Sequence, residues 1–408
     1  MTGKPLFTIV PEGSITTPQG FRAGGLHCGL KKTERHDLGV IVCDVPAAAA
    51  AVYTLNAFQA APLQVTRESI GVEGKLQAMA VNSGNANACT GKQGEADARE
   101  MRAATAQALG LPEHLVGVTS TGVIGELLPM DKVRSGIARL PGSLKWDGGN
   151  DFCQAILTTD LVQKMTCAEV IIDGKRIYIA GAAKGSGMIH PNMATMLGFM
   201  TTDAQVDSED LQKLLSAITD STFNMITVDG DTSTNDMVVV MASGLAGDRK
   251  LNAEHPDWPS FVAAFQYVGE YLAKAIARDG EGATKLIEVQ VVGAATENAA
   301  RAIAKTIVGS SLVKSACFGA DANWGRIIAA TGRSGQAVNV DTVDIRLGDF
   351  PVLEQSRPVK FDEEQAAEYL KGELVVIFVN LHMGDKQATA WGCDLTYEYV
   401  RINAAYRT

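Results

Sequence analysis

Between Val170 and Ile179 the sequence reads as two strands around a two-residue Asp173-Gly174 turn, the strongest short-range signal for a β-hairpin. The hairpin delivers the chain into Lys184-Gly-Ser-Gly-Met-Ile-His-Pro-Asn-Met-Ala-Thr-Met-Leu-Gly198, a glycine-rich run that places a hydroxyl, Thr195, directly after a small residue, Ala194. If that peptide bond is cut, Thr195 becomes an N-terminus that carries nucleophile and base on one residue, because a free α-amine titrates near neutral pH. Glycines at 185 and 187 and Ala194 allow an unusual turn and a close approach of backbone to backbone.

The rest of the chain predicts a mixed α and β layered protein. Leu38–Cys43 reads as a buried strand, and Glu95 to Leu109 as an alanine-rich helix stopped by Gly110. A helix follows Pro129 through Met130, Val133 and Ile137; another, capped by Asp207 or Ser208, faces inward through Leu211, Leu214, Leu215 and Ile218. Ser260 to Ala277 forms a long helix with Phe261, Phe265, Val268, Leu272 and Ile276 inward. Ile287, Val289 and Val291 alternate as in a half-buried strand, and a charged helix from Phe361 to Lys371 leads into a buried strand, Glu373 to Val379. No linker, repeat or charge block divides these pieces, so the boundary that matters is chemical, at 194/195.

Composition narrows the function classes. At 46% apolar and 20% charged residues, the 408-residue chain has the makeup of a soluble globular protein. A net charge of −10 without a basic run argues against nucleic acid. The most apolar stretch, Val45 to Tyr53, is short, alanine-dominated and interrupted by Pro46, so no membrane segment is expected, and the N-terminus lacks the apolar core of a secretion signal. Seven cysteines, an odd number with no Cys-x-x-Cys and no zinc-type His spacing, read as reduced thiols of a cytoplasmic protein with no metal site. Asp229–Asp236 lacks the glycine and distal glutamate of a calcium loop and reads as a hydrogen-bonded loop; Lys184-Gly-Ser-Gly has neither Walker nor dinucleotide spacing. His190, followed by Pro191, is read as shaping a turn.

The Lys184–Gly198 run, with Phe199-Met-Thr-Thr-Asp-Ala204, closely resembles the self-cleavage segment of the ornithine acetyltransferase family of arginine biosynthesis, also called glutamate N-acetyltransferases. Further matches run along the chain, among them Asn82-Ser-Gly-Asn-Ala-Asn-Ala88, Ser120-Thr-Gly-Val-Ile-Gly-Glu126, Leu157-Thr-Thr-Asp160, Thr227-Val-Asp-Gly-Asp-Thr-Ser-Thr-Asn-Asp236, Arg278-Asp-Gly-Glu-Gly-Ala-Thr-Lys285 and Asn403-Ala-Ala-Tyr-Arg-Thr408. The resemblance implies an αββα-type sandwich similar to N-terminal nucleophile hydrolases but differently connected. It implies autoproteolysis at Ala194-Thr195 into an alpha chain, 1–194, and a beta chain, 195–408, that stay together, as two copies of each fragment. It implies ping-pong transfer of acetyl from N-acetylornithine to glutamate through acetyl-Thr195, needing no cofactor.

On the positions of this sequence, Thr121 and Gly122 match the oxyanion-hole pair, and Thr158, Lys184, Thr195, Glu281, Asn403 and Thr408 match substrate contacts; Thr158 against its neighbour Thr159 stays open. Acetyl-CoA as a second acetyl donor also stays open, because some members use it and others only exchange. Two rival readings remain: a self-processing amidohydrolase or aminopeptidase, in which water replaces glutamate, and a non-catalytic anion-binding protein built on Lys184 and its glycine loop.

Overall fold

The computed structural model describes residues 6–190 and 196–405, so Ala194, Thr195 and Thr408 lie outside the described residues. The chain divides into two compact units: Met1–Gly185, Pro191–Phe223 and Thr232–Leu272 form one, and Ser186–His190, Asn224–Asp231 and Ala273–Thr408 the other.

The first unit is built on a nine-stranded sheet. Its path runs Thr8–Ile9, Lys164–Ile172, Lys175–Lys184, Leu197–Thr202, Met237–Ala242, Leu38–Tyr53, Lys75–Asn85 and Val116–Val123, with Phe21–Leu26 pairing beside Leu38–Tyr53. The strand Leu38–Cys43 is buried on both faces: Val40 and Val42 join a core with Met101, Val133 and Ile137 of the helices Gly91–Leu109 and Met130–Ser143. Ile41 and Cys43 point into a second core with Phe152 and Phe199, whose rings meet edge to face at 5.1 Å. A strand that must satisfy two cores reads as a continuous apolar run, as this one does.

The expected hairpin is present: Asp173 and Gly174 both take positive φ, 50° and 78°, and pair Ile172 with Lys175. Its second strand, Lys175–Lys184, lies antiparallel to the buried Leu197–Thr202 with Lys184 opposite Leu197, and the latter runs parallel to Met237–Ala242. Sequence on both sides of 194/195 therefore builds one sheet.

Two expectations are corrected here. The strand that begins at Leu38 continues to Tyr53, through the alanine-rich stretch. Pro46, which has no N–H for a ladder, falls where the register against Lys75–Asn85 shifts between Val42 and Ala47, so the strand absorbs it as an irregularity. The alanines give the helix Ser208–Ser221 a flat surface, and Gln212 Oε1 takes the Ala51 N–H at 3.2 Å. Asp207 occupies the N-cap of that helix but makes no side-chain cap; its carboxylate pairs with Lys250 instead.

The second unit holds a seven-stranded sheet in which Leu286–Ala294 lies parallel to Leu374–Asn380 and antiparallel to Lys386–Cys393. Ile287, Val289 and Val291 are fully buried, and the helix Glu297–Val308, capped by Thr296, covers the sheet. Leu374–Asn380 alternates between buried and partly exposed residues and is half-buried, not buried throughout as expected.

One buried carboxylate fixes a loop of the first unit. Asp37 accepts the N–H groups of Cys28, Gly29, Leu30 and Lys31 at 2.6–3.2 Å. Burial acts to raise its pKa, but these bonds and His27 outweigh burial and lower it. The associated stability is present above the unfolded carboxyl's pKa and is lost on acidification. Asp37→Asn puts an amide among N–H donors and is expected to cost on the order of 3 kcal/mol at neutral pH, measured by urea unfolding. An unchanged midpoint would show that the loop holds itself.

Candidate active site

Lys184 ends the second strand of the hairpin and is buried. Its Nζ donates to Thr121 Oγ1 at 3.4 Å, which brings a residue matched to the substrate contacts beside one matched to the oxyanion pair. Thr121 lies near the end of Val116–Val123, where the strand turns away through Gly122 at φ 136°. A Cβ at residue 122 would stand 2.3 Å from the Gly84 carbonyl carbon, so only glycine lets the two chains approach this closely.

Beneath these groups sits a buried charge cluster. The Asp160 carboxylate accepts Lys164 Nζ at 2.8 Å and the Gly185 N–H at 2.7 Å on one oxygen, and the Thr158 N–H at 3.0 Å on the other. Both side chains of the Lys164–Asp160 pair are fully buried. Burial acts to raise the Asp160 pKa, but the charges of Lys184 and Lys164 and the hydrogen bonds override burial and hold it far below the usual carboxylate range. Removing either partner leaves an uncompensated buried charge, typically worth roughly 3–5 kcal/mol. Thr158 is thus oriented by Asp160 through its N–H and, at 3.5 Å, its hydroxyl, while Thr159 lines the same cavity as Thr158 without that bond.

Asp236 was quoted in the sequence only as the end of a loop. It begins no strand by its own propensity, yet it is buried with Oδ2 lacking a hydrogen-bond partner among the described residues. Burial raises its pKa well above the ordinary carboxyl value, against the opposing influence of Ser233, Lys184, Thr54 and the Met196 N–H. Met196 follows Thr195 in sequence, and its carbonyl accepts the Met237 N–H. Nearby Asn235 donates to the carbonyls of Ala86 and Ser120, fixing the strand that carries Thr121.

The second unit assembles another part of the expected site. Glu281 is buried, its N–H bonds the Ser186 carbonyl, and its Oε2 accepts Asn403 Nδ2 at 2.8 Å. A Cβ at Gly187 would meet the Glu281 carboxyl at 2.4 Å, so the second glycine of the run exists to admit this side chain. Asn403 extends from the helix Tyr397–Ala404 and also donates to the Tyr399 carbonyl. Asp229 takes the N–H groups of Met188 and Ile189, closing the turn that His190 enters. His190 Nδ1 bonds Thr227 Oγ1 at 2.9 Å; that hydroxyl donates to the Ile189 carbonyl, so Nδ1 carries the hydrogen. Burial, with Lys305 close by, brings the ring down to about 4, neutral at physiological pH.

The one metal-type grouping among the described residues, Asp173, His255 and Asp257, lies at the hairpin turn. Arg249 binds the Asp173 carboxylate and the Asp257 N–H occupies His255 Nδ1, so its donor atoms already have partners within the protein. No helix among the described residues is long and apolar enough to cross a membrane.

The ArgJ family model matches residues 22–408. The arginine biosynthesis bifunctional protein ArgJ of Halalkalibacterium halodurans is 62% identical over 397 residues, covering 97% of this chain and 96% of that protein. The protein of the same name from Bacillus cereus is 61% identical over 401 residues, 98% of each chain. Among solved structures, the crystal structure of ArgJ from Bacillus halodurans is 63% identical, with a TM-score of 0.50, over 51% of this chain and 98% of the solved chain.

Asp236 offers a test of its burial. The folded state favours its neutral form, whereas the unfolded carboxyl ionises above about pH 4, so stability is full below that pH and is lost as pH rises. Asp236→Asn removes the ionisation and should flatten the fall in thermal midpoint between about pH 5 and about pH 8. A variant that falls as steeply as the parent would assign the pH dependence elsewhere.

Proposed function

The chain belongs to the ArgJ family and is an acetyltransferase of arginine biosynthesis that moves acetyl between ornithine and glutamate; on that premise we propose how its residues do so. Thr195 Oγ attacks the Ala194 carbonyl carbon, the resulting ester is hydrolysed, and Thr195 becomes the N-terminus of the fragment 195–408. Its amine then takes the proton of its own hydroxyl as Oγ attacks the acetyl carbonyl of N-acetylornithine. Ornithine leaves with that proton, and the α-amine of glutamate attacks the acetyl ester. An amide is exchanged for an amide, so the chemistry balances without an external energy source.

The observation that carries this reading is the hydrogen bond from Lys184 to Thr121 beside Gly122. Because Thr121 Oγ1 accepts from an ammonium, its own hydrogen is free to be aimed at an oxyanion, and the Gly122 N–H is the second donor. The Lys184 charge adds attraction for the same developing anion in a buried, weakly screened setting. Lys184 and Thr158 serve the acyl substrate, while Glu281, held by Asn403, supplies the carboxylate that an ornithine ammonium requires; Thr195, Asn403 and Thr408 complete the contacts.

Two features support cleavage into fragments that stay associated, the first bearing on association and the second on cleavage. Strands 175–184 and 197–202, one from each side of the cut, are hydrogen-bonded neighbours. The solved ArgJ chain, nearly all of which matches 51% of this one, is about half as long as this chain. Two copies of each fragment form the working assembly, and seven unpaired thiols suit a reducing cytoplasm.

Purified protein is expected to show two masses under denaturing conditions, Met1–Ala194 and Thr195–Thr408, that co-elute without denaturant. Thr195→Ala should give one intact, inactive chain. An intact and fully active wild type would sink the mechanism.

The oxyanion role has its own test. Thr121→Val keeps the shape and removes the donor, and should lower kcat by roughly a hundredfold or more with little change in KM. A loss confined to KM would make Thr121 a binding residue.

A further inference from the structure

Asp236 is a buried titratable group to which the acetyl-transfer steps give no task. It is 2% exposed, and its Oδ2 has no hydrogen-bond partner among the described residues. A buried polar atom left unpaired is uncommon in folded proteins and costs stability, so its retention calls for a reason. An asparagine of the same shape would fill the same space without an ionisable group.

Sheet register fixes what the carboxyl faces. Lys184, Leu197, Met237 and Tyr53 stand side by side on four neighbouring strands. One residue back along the parallel pair Leu197–Thr202 and Met237–Ala242, Asp236 stands beside Met196, whose carbonyl accepts the Met237 N–H at 3.1 Å. On the other side the Asp236 carbonyl accepts the Thr54 N–H at 3.0 Å. Asn235 holds the approach to the strand through the Ala86 and Ser120 carbonyls, at 2.6 and 2.8 Å. Burial keeps the proton on the carboxyl well above the ordinary carboxylate range, against Ser233, Lys184, Thr54 and the Met196 N–H that it accepts.

That last contact sets its distance from the bond to be cut. Met196 N is bonded to the Thr195 carbonyl carbon, and the Thr195 nitrogen lies two bonds beyond that carbon. Backbone bond lengths keep the two nitrogens within about 4 Å of each other in any conformation. A carboxyl hydrogen-bonded to the first is therefore in the immediate neighbourhood of the second and of the hydroxyl on the same residue.

Self-cleavage requires two proton movements there. The Thr195 hydroxyl must lose a proton to attack Ala194, and the Thr195 nitrogen must gain one to leave. Before the cut that nitrogen is an amide, so the free amine that activates the mature threonine does not yet exist. Lys184, as an ammonium, can only donate. A neutral carboxyl does both, since its O–H donates while its other oxygen accepts.

We propose that Asp236 is the acid–base residue of self-cleavage. Its carboxyl gives its proton to the Thr195 nitrogen as the Ala194 carbon–nitrogen bond breaks, and takes the Oγ proton as the Oγ–carbon bond forms. The carboxyl ends as it began, and water then splits the Ala194 ester and restores the hydroxyl. The inference rests on the attack of Thr195 on Ala194 proposed above and adds the group that moves the protons.

The test follows the full chain from synthesis by mass under denaturing conditions. Asp236→Asn keeps the size and an acceptor for the Met196 N–H but has no acidic proton, and should slow cleavage by roughly a hundredfold or more with native circular dichroism. Asp236→Glu returns a carboxyl and should cleave faster than the Asn variant. Hydroxylamine, which intercepts an ester, should speed release of the fragments from wild type but not from Asp236→Asn, because ester formation is the step lost. Three results overturn the proposal: an Asn variant that cleaves within about threefold of wild type; Asn and Glu variants that are native and equally slow; or an Asn variant that hydroxylamine splits as fast as wild type, which would place the defect in ester hydrolysis. If Asp236→Asn does not fold, the Glu variant decides, since a cleaving chain supports the assignment and a native chain that stays whole overturns it. A wild type that stays whole would instead overturn the Thr195 attack itself.

Discussion

The buried carboxylate of Asp160 is the interaction on which the proposed chemistry of the first unit depends. A carboxylate and an ammonium taken fully out of water carry a desolvation cost that only good geometry offsets. Here Lys164, the Gly185 N–H and the Thr158 N–H supply that geometry, and Lys184 adds its charge. The bond to Gly185 is the consequential one, because it pins the backbone where the hairpin strand enters the glycine-rich run. Lys184 is thereby aimed from a fixed strand end toward Thr121, and an oriented donor in a buried setting stabilises developing charge without reorganising.

Continuity of the sheet across the 194/195 bond gives the fold a second constraint. Leu197–Thr202 is buried along its whole length and bonded to strands on both sides. A chain cut just before it loses no ladder bond, so the fold can survive the creation of its own nucleophile. In the second unit, Gly187 and Glu281 show the complementary logic, with a missing side chain making the space that a buried carboxylate fills.

The sequence disclosed these features unevenly. Long periodic helices such as Trp258–Arg278 and the Asp173-Gly174 hairpin were evident because their signals are local. The strand Ala47–Tyr53 was not, since alanine and Pro46 disfavour strands and only the packing of the helix Ser208–Ser221 explains them. Thr121, Lys184, Glu281 and Asn403 were named through family resemblance, and the structure joins them in two pairs, Lys184 with Thr121 and Glu281 with Asn403. Asp160 and Asp236 were visible only as members of quoted motifs. Partners such as Gly185, 25 residues from Asp160, are set by topology and leave no local pattern.

The central claim is that acetyl rests on Thr195 between donor and acceptor. The most direct measurement is a single-turnover experiment with N-acetylornithine and no glutamate, followed by mass analysis of the denatured fragments. The account predicts a burst of about one ornithine per active site and one added acetyl group on the fragment beginning at Thr195, discharged when glutamate is supplied. Ornithine release that waits for glutamate, with the 195–408 fragment never acetylated, would contradict it.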